Sequence, residues 1–263
     1  MFRRLLPLLT VVLLFSAPLS ATPFTAFVDG ERYVYKVGWG LLGGAGEIEI
    51  KARADVLNGR PVMRITTRTS SRGLVRGIYR YDDSAEVVVD RETSRLVYTF
   101  EQSEDSKRKT ESRTDFDYDQ GLAFHRDTFR PNRNNDLKIP AGNPIDLISS
   151  LVAPRNWGMK PGEARDLLVH FGREFFPLTL HAEDFESVRT PMGTFKALRL
   201  VPRMDKEPPR GLFQRGGEIK VWISDGARPL PVRMQLKLNF GTATLSLQQH
   251  TVPQVEPATG AAI

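Results

Sequence analysis

The feature that most limits what this chain can fold into is a strict alternation of apolar and polar residues. In "EIEIKARAD" (Glu47 to Asp55), Ile48, Ile50, Ala52 and Ala54 alternate with Glu47, Glu49, Lys51, Arg53 and Asp55. Successive side chains of a strand point to opposite faces, so this pattern makes a strand with one buried and one wet face. Asn58-Gly59 follows, and "RPVMRITTRTSS" returns; such a pair accepts the positive φ angles of a tight hairpin turn. The alternation continues in "GIYRYDDSAEVVVDRETSRLVYTFEQS", with a turn over Asp90 to Ser94, and in "KTESRTDFDYDQGLAFHRDTFR", with a turn at Asp119 to Gly121. "FFPLTLHAEDFESVRTPMGTFKALRLVPRM" turns at Pro191-Met192-Gly193, and "GEIKVWISDGARPLPVRMQLKLNFGTATLSLQQH" reverses near Asp225-Gly226 and Gly241. Short strands at near-regular spacing, with turn chemistry between them, predict a mostly β fold. The expected form is a curved antiparallel sheet, an open half-barrel or a β-sandwich, with one short helix. That helix is read in "NPIDLISSLVAP", with Asn143 as N-cap, Pro144 first, Asp146 in the first turn and Pro154 closing it. Ile145, Ile148 and Val152 give it an apolar stripe.

The two ends of the chain read differently from its middle. "MFRRLLPLLTVVLLFSAPLSA" has Arg3 and Arg4, then an apolar run from Leu5 to Phe15, then a small-residue site ending at Ala21. This is the pattern of a cleavable export signal, too short in its apolar part for a membrane span. The expected organisation is a signal over 1–21, one β-rich domain over 22–250 and a disordered tail over 251–263, in the periplasm and without a transmembrane anchor in the mature chain. The chain has no cysteine, so no disulfide can form and stability must come from burial. Without Arg3 and Arg4, 35 basic residues face 31 acidic ones. They interleave in stretches such as "EQSEDSKRKTESRTDFDYD", whereas a nucleic-acid surface shows same-sign clustering. No nucleic-acid partner is expected.

"YKVGWGLLGGAGEIEI" contains G-x-G-x-x-G at Gly38, Gly40 and Gly43. A dinucleotide fingerprint needs a helix after the glycines, whose N-terminus holds the pyrophosphate. Here a strand pattern follows, so the glycines are read as a tight reversal between two strands and no cofactor is expected. The same region carries a family resemblance. "DGERYVYKVGWGLLGGAGEIEI", "GNPIDLISSLVAPR", "VRTPMGTFKALRLVP" and "GEIKVWISDGARPLPVRMQLKLNFGTATLSL" resemble, in this order, the bacterial domain-of-unknown-function family 3108. The resemblance implies an exported β-rich fold, similar to the open half-barrels of lipoprotein carriers that cradle acyl chains against a helix. It brings no catalytic residues.

Candidate chemistry is sparse. "DFDYDQG" (Asp115 to Gly121) has acids at alternate positions, but the Gly and final acid of a calcium loop are displaced. The four histidines, His125, His170, His181 and His250, are scattered, and no metal site is expected. No G-x-S-x-G elbow occurs, and a carboxylate pair for glycan hydrolysis cannot be tested by spacing. The aromatic residues are more informative. Ile78, Tyr79, Tyr81, Tyr98, Phe100, Phe124 and others recur in strand patterns and read as sheet core or as the lining of a concave face. Tyr35, Trp39, Phe116 and Trp222 are the expected ligand-lining residues, with Leu212 and Phe213 in a lid loop within "MDKEPPRGLFQRGG". The expected function is non-catalytic binding of a lipid or other apolar ligand in envelope transport or assembly. The alternatives are a protein-interaction or structural module of the envelope, and a glycan hydrolase. The expected partner is a lipid or an envelope protein.

Overall fold

The computed structural model describes residues 22–253 except 41, 106 and 240. The expected signal segment and residues 254–263 of the expected tail lie outside the described residues. Among the described residues, fifteen strands form a single sheet. They are β1 (Arg32–Trp39), β2 (Leu42–Leu57), β3 (Arg60–Ser71), β4 (Tyr81–Asp90), β5 (Leu96–Asp105), β6 (Lys109–Asp117), β7 (Leu122–Asp127), β8 (Asn135–Lys138), β9 (Ile145–Asp146), β10 (Ala164–Phe171), β11 (Glu174–Thr190), β12 (Gly193–Arg203), β13 (Glu218–Ser224), β14 (Pro231–Leu238) and β15 (Gly241–Thr251). The spatial order is β8-β7-β6-β5-β4-β3-β2-β1-β15-β14-β13-β12-β11-β10-β9. All neighbours are antiparallel except β9 and β10. The structure is therefore one curved sheet and not a sandwich of two.

Register shifts bend the sheet, at Val34/Tyr35, Val37/Trp39, Val88/Val89, Ala182/Phe185 and Trp222/Ile223, because an unpaired extra residue increases local twist. The curl brings the flanks together through side chains. Phe116 of β6 meets His170 of β10 edge-on, with ring centroids 5.0 Å apart. The turn at Asn58-Gly59 has φ of 51° and 78°, as a two-residue hairpin requires. Beyond Gly40, β2 follows β1 as a strand, the geometry expected of the glycine segment.

Two local readings need correction. Residues 77–80 were expected to open a strand, but residues 72–80 form an arch containing a helical turn, α1 (Gly73–Ile78), and β4 begins only at Tyr81. Pairing of β3 with β4 ends at Ser70 and Asp82, and the Ser71 hydroxyl caps the break by accepting from the Tyr81 amide at 3.0 Å. Ile78 is consequently 87% exposed rather than part of a core. The second helix, α2 (Leu147–Val152), starts later than expected, because Ile145 and Asp146 are engaged as a strand with Val169 and His170. Asp146 is the N-cap, accepting from the Ser149 amide at 2.9 Å, while the Asn143 side chain donates to the Thr93 carbonyl.

Strand ends gather at two rims. Connections 58–59, 91–95, 118–121, 191–192 and 225–230 lie at a hairpin rim, and those at 72–80, 106–108, 128–134, 172–173 and 204–217 lie at the opposite, arch rim. Across β10 to β15, and toward the hairpin rim on β1 to β5, the inner face is sealed. Tyr33, Ile50, Met63, Ile65, Leu200, Ile219, Met234 and Leu247 are at most 2% exposed, and Leu151 and Val152 of α2 pack onto this core. The enclosed apolar void between Leu147, Leu151, Leu178, Leu200 and Val221 is about 10 Å³, no more than the smallest space that can hold a water.

Candidate functional site

Strand register sets the inner face out in rows. The row Ala52, Ile65, Val87, Thr99, Thr114 and His125 runs across β2 to β7, and all six residues are buried. The next row toward the arch rim is Ile50, Thr67, Ala85, Glu101, Ser112 and Asp127, and the one beyond it is Ile48, Thr69, Asp83, Ser103 and Thr110. In these rows Ile48, Thr69, Asp83, Ala85, Glu101, Ser103, Thr110 and Ser112 are only half-buried. The interior thus passes from a sealed apolar core to a solvent-reached recess lined by hydroxyls and two carboxyls.

Asp83 and Glu101 are diagonal neighbours on one face of the β4–β5 pair, since Asp83 is opposite Ser103 and Ala85 opposite Glu101. Such positions stay within reach of long side chains. Among the described residues, neither carboxyl receives a hydrogen bond or an ion pair. Burial pushes Asp83 up to about 6. Burial, joined by the like charge of Asp83, pushes Glu101 up to about 7. Both groups therefore sit where a proton is held or released near neutrality.

The surrounding acids are all compensated. Asp127 accepts from the Phe129 and Arg130 amides and pairs with Arg130 at 3.0 Å. On the outer face of the same strands a polar groove of about 410 Å³ runs past Glu47, Glu49, Asp82 and Glu104. There Glu47 pairs with Arg72, Glu49 with Arg32 and Lys51, Asp82 with Arg76 and Arg80, and Glu104 with Lys109. The unpaired inner carboxyls stand out against this lattice.

Two deeper polar groups flank the recess. Thr114 shares a hydrogen bond with His125 Nδ1 at 2.9 Å. His170 is 2% exposed, packs against Phe116 and Phe175, and among the described residues its Nε2 has no partner. Burial, and then the neighbouring His125, lower its pKa to about 4, so it is neutral at pH 7. On the hairpin-rim side, Glu31 is 1% exposed and accepts from Arg155 at 2.6 and 2.8 Å, Tyr33 at 2.7 Å and His250 at 2.8 Å. Arg155 also donates to the Tyr33 hydroxyl. This network is saturated at Glu31 and locks the crossover after α2 onto β1.

The expected lining residues separate. Tyr35 and Trp39 share the inner face of β1 through pairing with Leu247 and Ala243 of β15. Tyr35 is fully buried and donates to the Pro231 carbonyl at 2.8 Å. Trp39 is half-buried beside Gly241, where a Cβ would stand 2.8 Å from the indole nitrogen. Phe116 is also on the inner face, but deeper, against His170. Trp222 is 5% exposed and part of the buried core, but its register partners are Arg199 and Arg233 and it is opposite in direction to Val221. Its indole N–H donates to Glu186. In the 204–217 loop, Phe213 is buried against Phe176 and Leu212 packs on the core. Arg210 holds the loop down through Glu174, Glu207 and the Phe175 carbonyl.

Sequence reasoning did not single out Asp83 and Glu101. The signal was the phase of the strand. Stepping back by twos from Val87 leads to Asp83, and stepping forward from Thr99 leads to Glu101.

The fold is similar to the crystal structure of a β-barrel-like protein of domain of unknown function DUF1849 from Brucella abortus, with a TM-score of 0.53 and 8% identity over 86% of this chain and 99% of that one. Two further crystal structures each cover 88% of this chain and 99% of their own, both with a TM-score of 0.31, too low to bear on the fold. One is described as a lipoprotein from Parabacteroides distasonis, 11% identical, and the other as an exported protein with a YmcC-like fold from Bacteroides fragilis, 12% identical. No curated protein matches the chain. Residues 34–248 match the family described as protein of unknown function (DUF3108), and the chain belongs to that family.

Proposed function

We propose that the protein is a non-catalytic binding protein of the bacterial cell envelope that holds an amphipathic ligand in the recess of its inner face. The observation that carries this reading is the pair of partnerless carboxyls, Asp83 and Glu101, on the half-buried inner rows. A carboxyl poised near neutrality both donates and accepts hydrogen bonds. Together with Thr69, Ser103, Thr110 and Ser112 it suits a hydroxyl- or amine-bearing head. Ile48, Val37 and Trp39, half-buried on the adjoining strands, offer an apolar wall to the rest of the ligand. The sealed core leaves no room for a chain threaded through the sheet, so the apolar part runs toward the arch rim. The export expected from the N-terminal sequence pattern accords with this role.

The test is native mass spectrometry of the purified protein, followed by extraction and identification of any bound molecule. The expected result is a stoichiometric amphiphile. Rebinding to stripped protein should weaken about tenfold in Asp83→Asn/Glu101→Gln, as charge-assisted hydrogen bonds are lost, and also in Trp39→Ala. A clean mass with no uptake of added envelope lipids overturns the proposal. Turnover of a glycan, abolished by the carboxyl substitutions, would replace binding with catalysis.

A further inference from the structure

Charge that is interleaved along the sequence is sorted by the topology. The arch-rim connections 72–80, 106–108, 128–134, 172–173 and 204–217 carry eleven lysines and arginines against two acids, Asp205 and Glu207. The hairpin-rim connections 58–59, 91–95, 118–121, 191–192 and 225–230 carry three of each sign. The connections of the arch rim are thus strongly basic, with Asp82, Asp105, Asp127, Glu174 and Glu218 at the adjoining strand ends, and those of the hairpin rim are balanced.

The basic end also carries the most exposed large apolar side chains among the described residues. Leu74 and Ile78 of the 72–80 arch are 89% and 87% exposed, with Tyr79 at 44% and Phe129 of the 128–134 connection at 50%. The arch reads Arg72-Gly73-Leu74-Val75-Arg76-Gly77-Ile78-Tyr79-Arg80, in which each apolar pair stands between arginines. Arg72 and Arg80 are exposed where they pair with Glu47 and Asp82, and such surface pairs are weak and exchangeable, whereas Arg76 forks onto both Asp82 oxygens at 2.9 and 3.0 Å and holds the arch in place. Lys107, Arg133 and Arg215 have no acidic partner among the described residues.

We propose that the arch rim docks on the surface of a bilayer containing anionic lipid, with Leu74 and Ile78 entering the acyl boundary and the surrounding cations meeting headgroup phosphates. Basic side chains near an anionic surface and aliphatic tips beside them are the two terms of interfacial binding. A nucleic acid would satisfy the cations but leave the aliphatic tips in water, so the membrane is favoured. This inference is independent of the ligand proposed for the recess.

The test is co-sedimentation of the purified protein with phosphatidylcholine vesicles, with and without phosphatidylglycerol. Binding is expected only to the mixed vesicles, weakening as salt rises. Leu74→Glu/Ile78→Glu should lower it at least about tenfold, and Arg72→Ala/Arg80→Ala by about tenfold. Arg91→Ala/Arg95→Ala on the hairpin rim should leave it unchanged. Leu74 and Ile78 touch no core, so an unaltered thermal midpoint confirms that folding is intact. Equal binding to phosphatidylcholine alone, no binding to either vesicle, or polyanion binding indifferent to Leu74 and Ile78 would each overturn the proposal. Loss of vesicle binding with the recess ligand retained would separate this inference from the recess reading.

Discussion

Replacing Arg155 with alanine is expected to lower the free energy of unfolding by about 3–5 kcal/mol, because it leaves the Glu31 carboxylate buried without its cation. Arg155 is 8% exposed and Glu31 1%, so the carboxylate lies out of reach of bulk water. The double variant Glu31→Leu/Arg155→Leu should lose less than Arg155→Ala, since it removes the stranded charge with its partner. Burial alone would raise the Glu31 pKa. Hydrogen bonds from His250 and Arg155, the Arg155 charge and the Tyr33 hydroxyl outweigh it and hold the carboxyl at about 2, against an ordinary 4.5. A carboxyl depressed by folding stabilises the folded state above its unfolded pKa, and that contribution disappears as pH falls through the folded value. The wild-type protein should therefore lose stability between pH 4.5 and pH 2, and Glu31→Gln should flatten this limb. Urea titrations across that range provide the check. An Arg155→Ala variant within about 1 kcal/mol of wild type would show that the network is not a lock.

Glu101→Gln is expected to do the opposite and stabilise the protein at pH 8. A carboxyl whose folded pKa is raised binds its proton more tightly in the folded state, so stability is lost as pH rises from the unfolded to the folded value. For Glu101 that window runs from 4.5 to about 7, and for Asp83 from 3.8 to about 6. The gain at pH 8 should be about 1–3 kcal/mol, allowing for partial solvent access, and should vanish below pH 4. Asp83→Asn should give a smaller gain. The two should not add, because each removes the repulsion felt by the other. Urea midpoints at pH 8 and pH 4 decide the matter, and a loss of stability at pH 8 would refute the account of these carboxyls. A stabilising substitution at a ligand site is what a trade between stability and function predicts.

Most strands were legible because one face of each is buried and period two records it. "EIEIKARAD" and Asn58-Gly59 specify β2 and its turn locally. The arch at 72–80 was not legible. Ile78 and Tyr79 read as sheet core, and only the break after Ser71 and the exposure of Ile78 show otherwise. The recess was missed for a related reason. "YDDSAE" is polar at nearly every position, so it carries no phase of its own, and Asp83 turns inward only by continuity with Val87. Trp222 was misplaced because hydrophobicity alone does not say which face a tryptophan takes. Its neighbours Lys220 and Glu218 lie on the same face, and register assigns all three. The Glu31–Arg155 lock joins residues far apart in the chain, and no local pattern announces it.

The strand order has a consequence for how the chain reaches this form. β1 and β15 lie side by side in the middle of the sheet, with Arg32 opposite Thr251, while the outermost strands β8 and β9 are sequence neighbours. Each half of the chain is a ladder of local hairpins, and local contacts form fast. Joining the halves must await the final strand, and it closes nearly the whole chain as one loop. Until then β1 offers an open edge to any strand it meets. A circular permutant that opens between residues 139 and 144 and links the old ends would make every strand the sequence neighbour of the strands it pairs with. It should refold faster than the natural order, and with less aggregation.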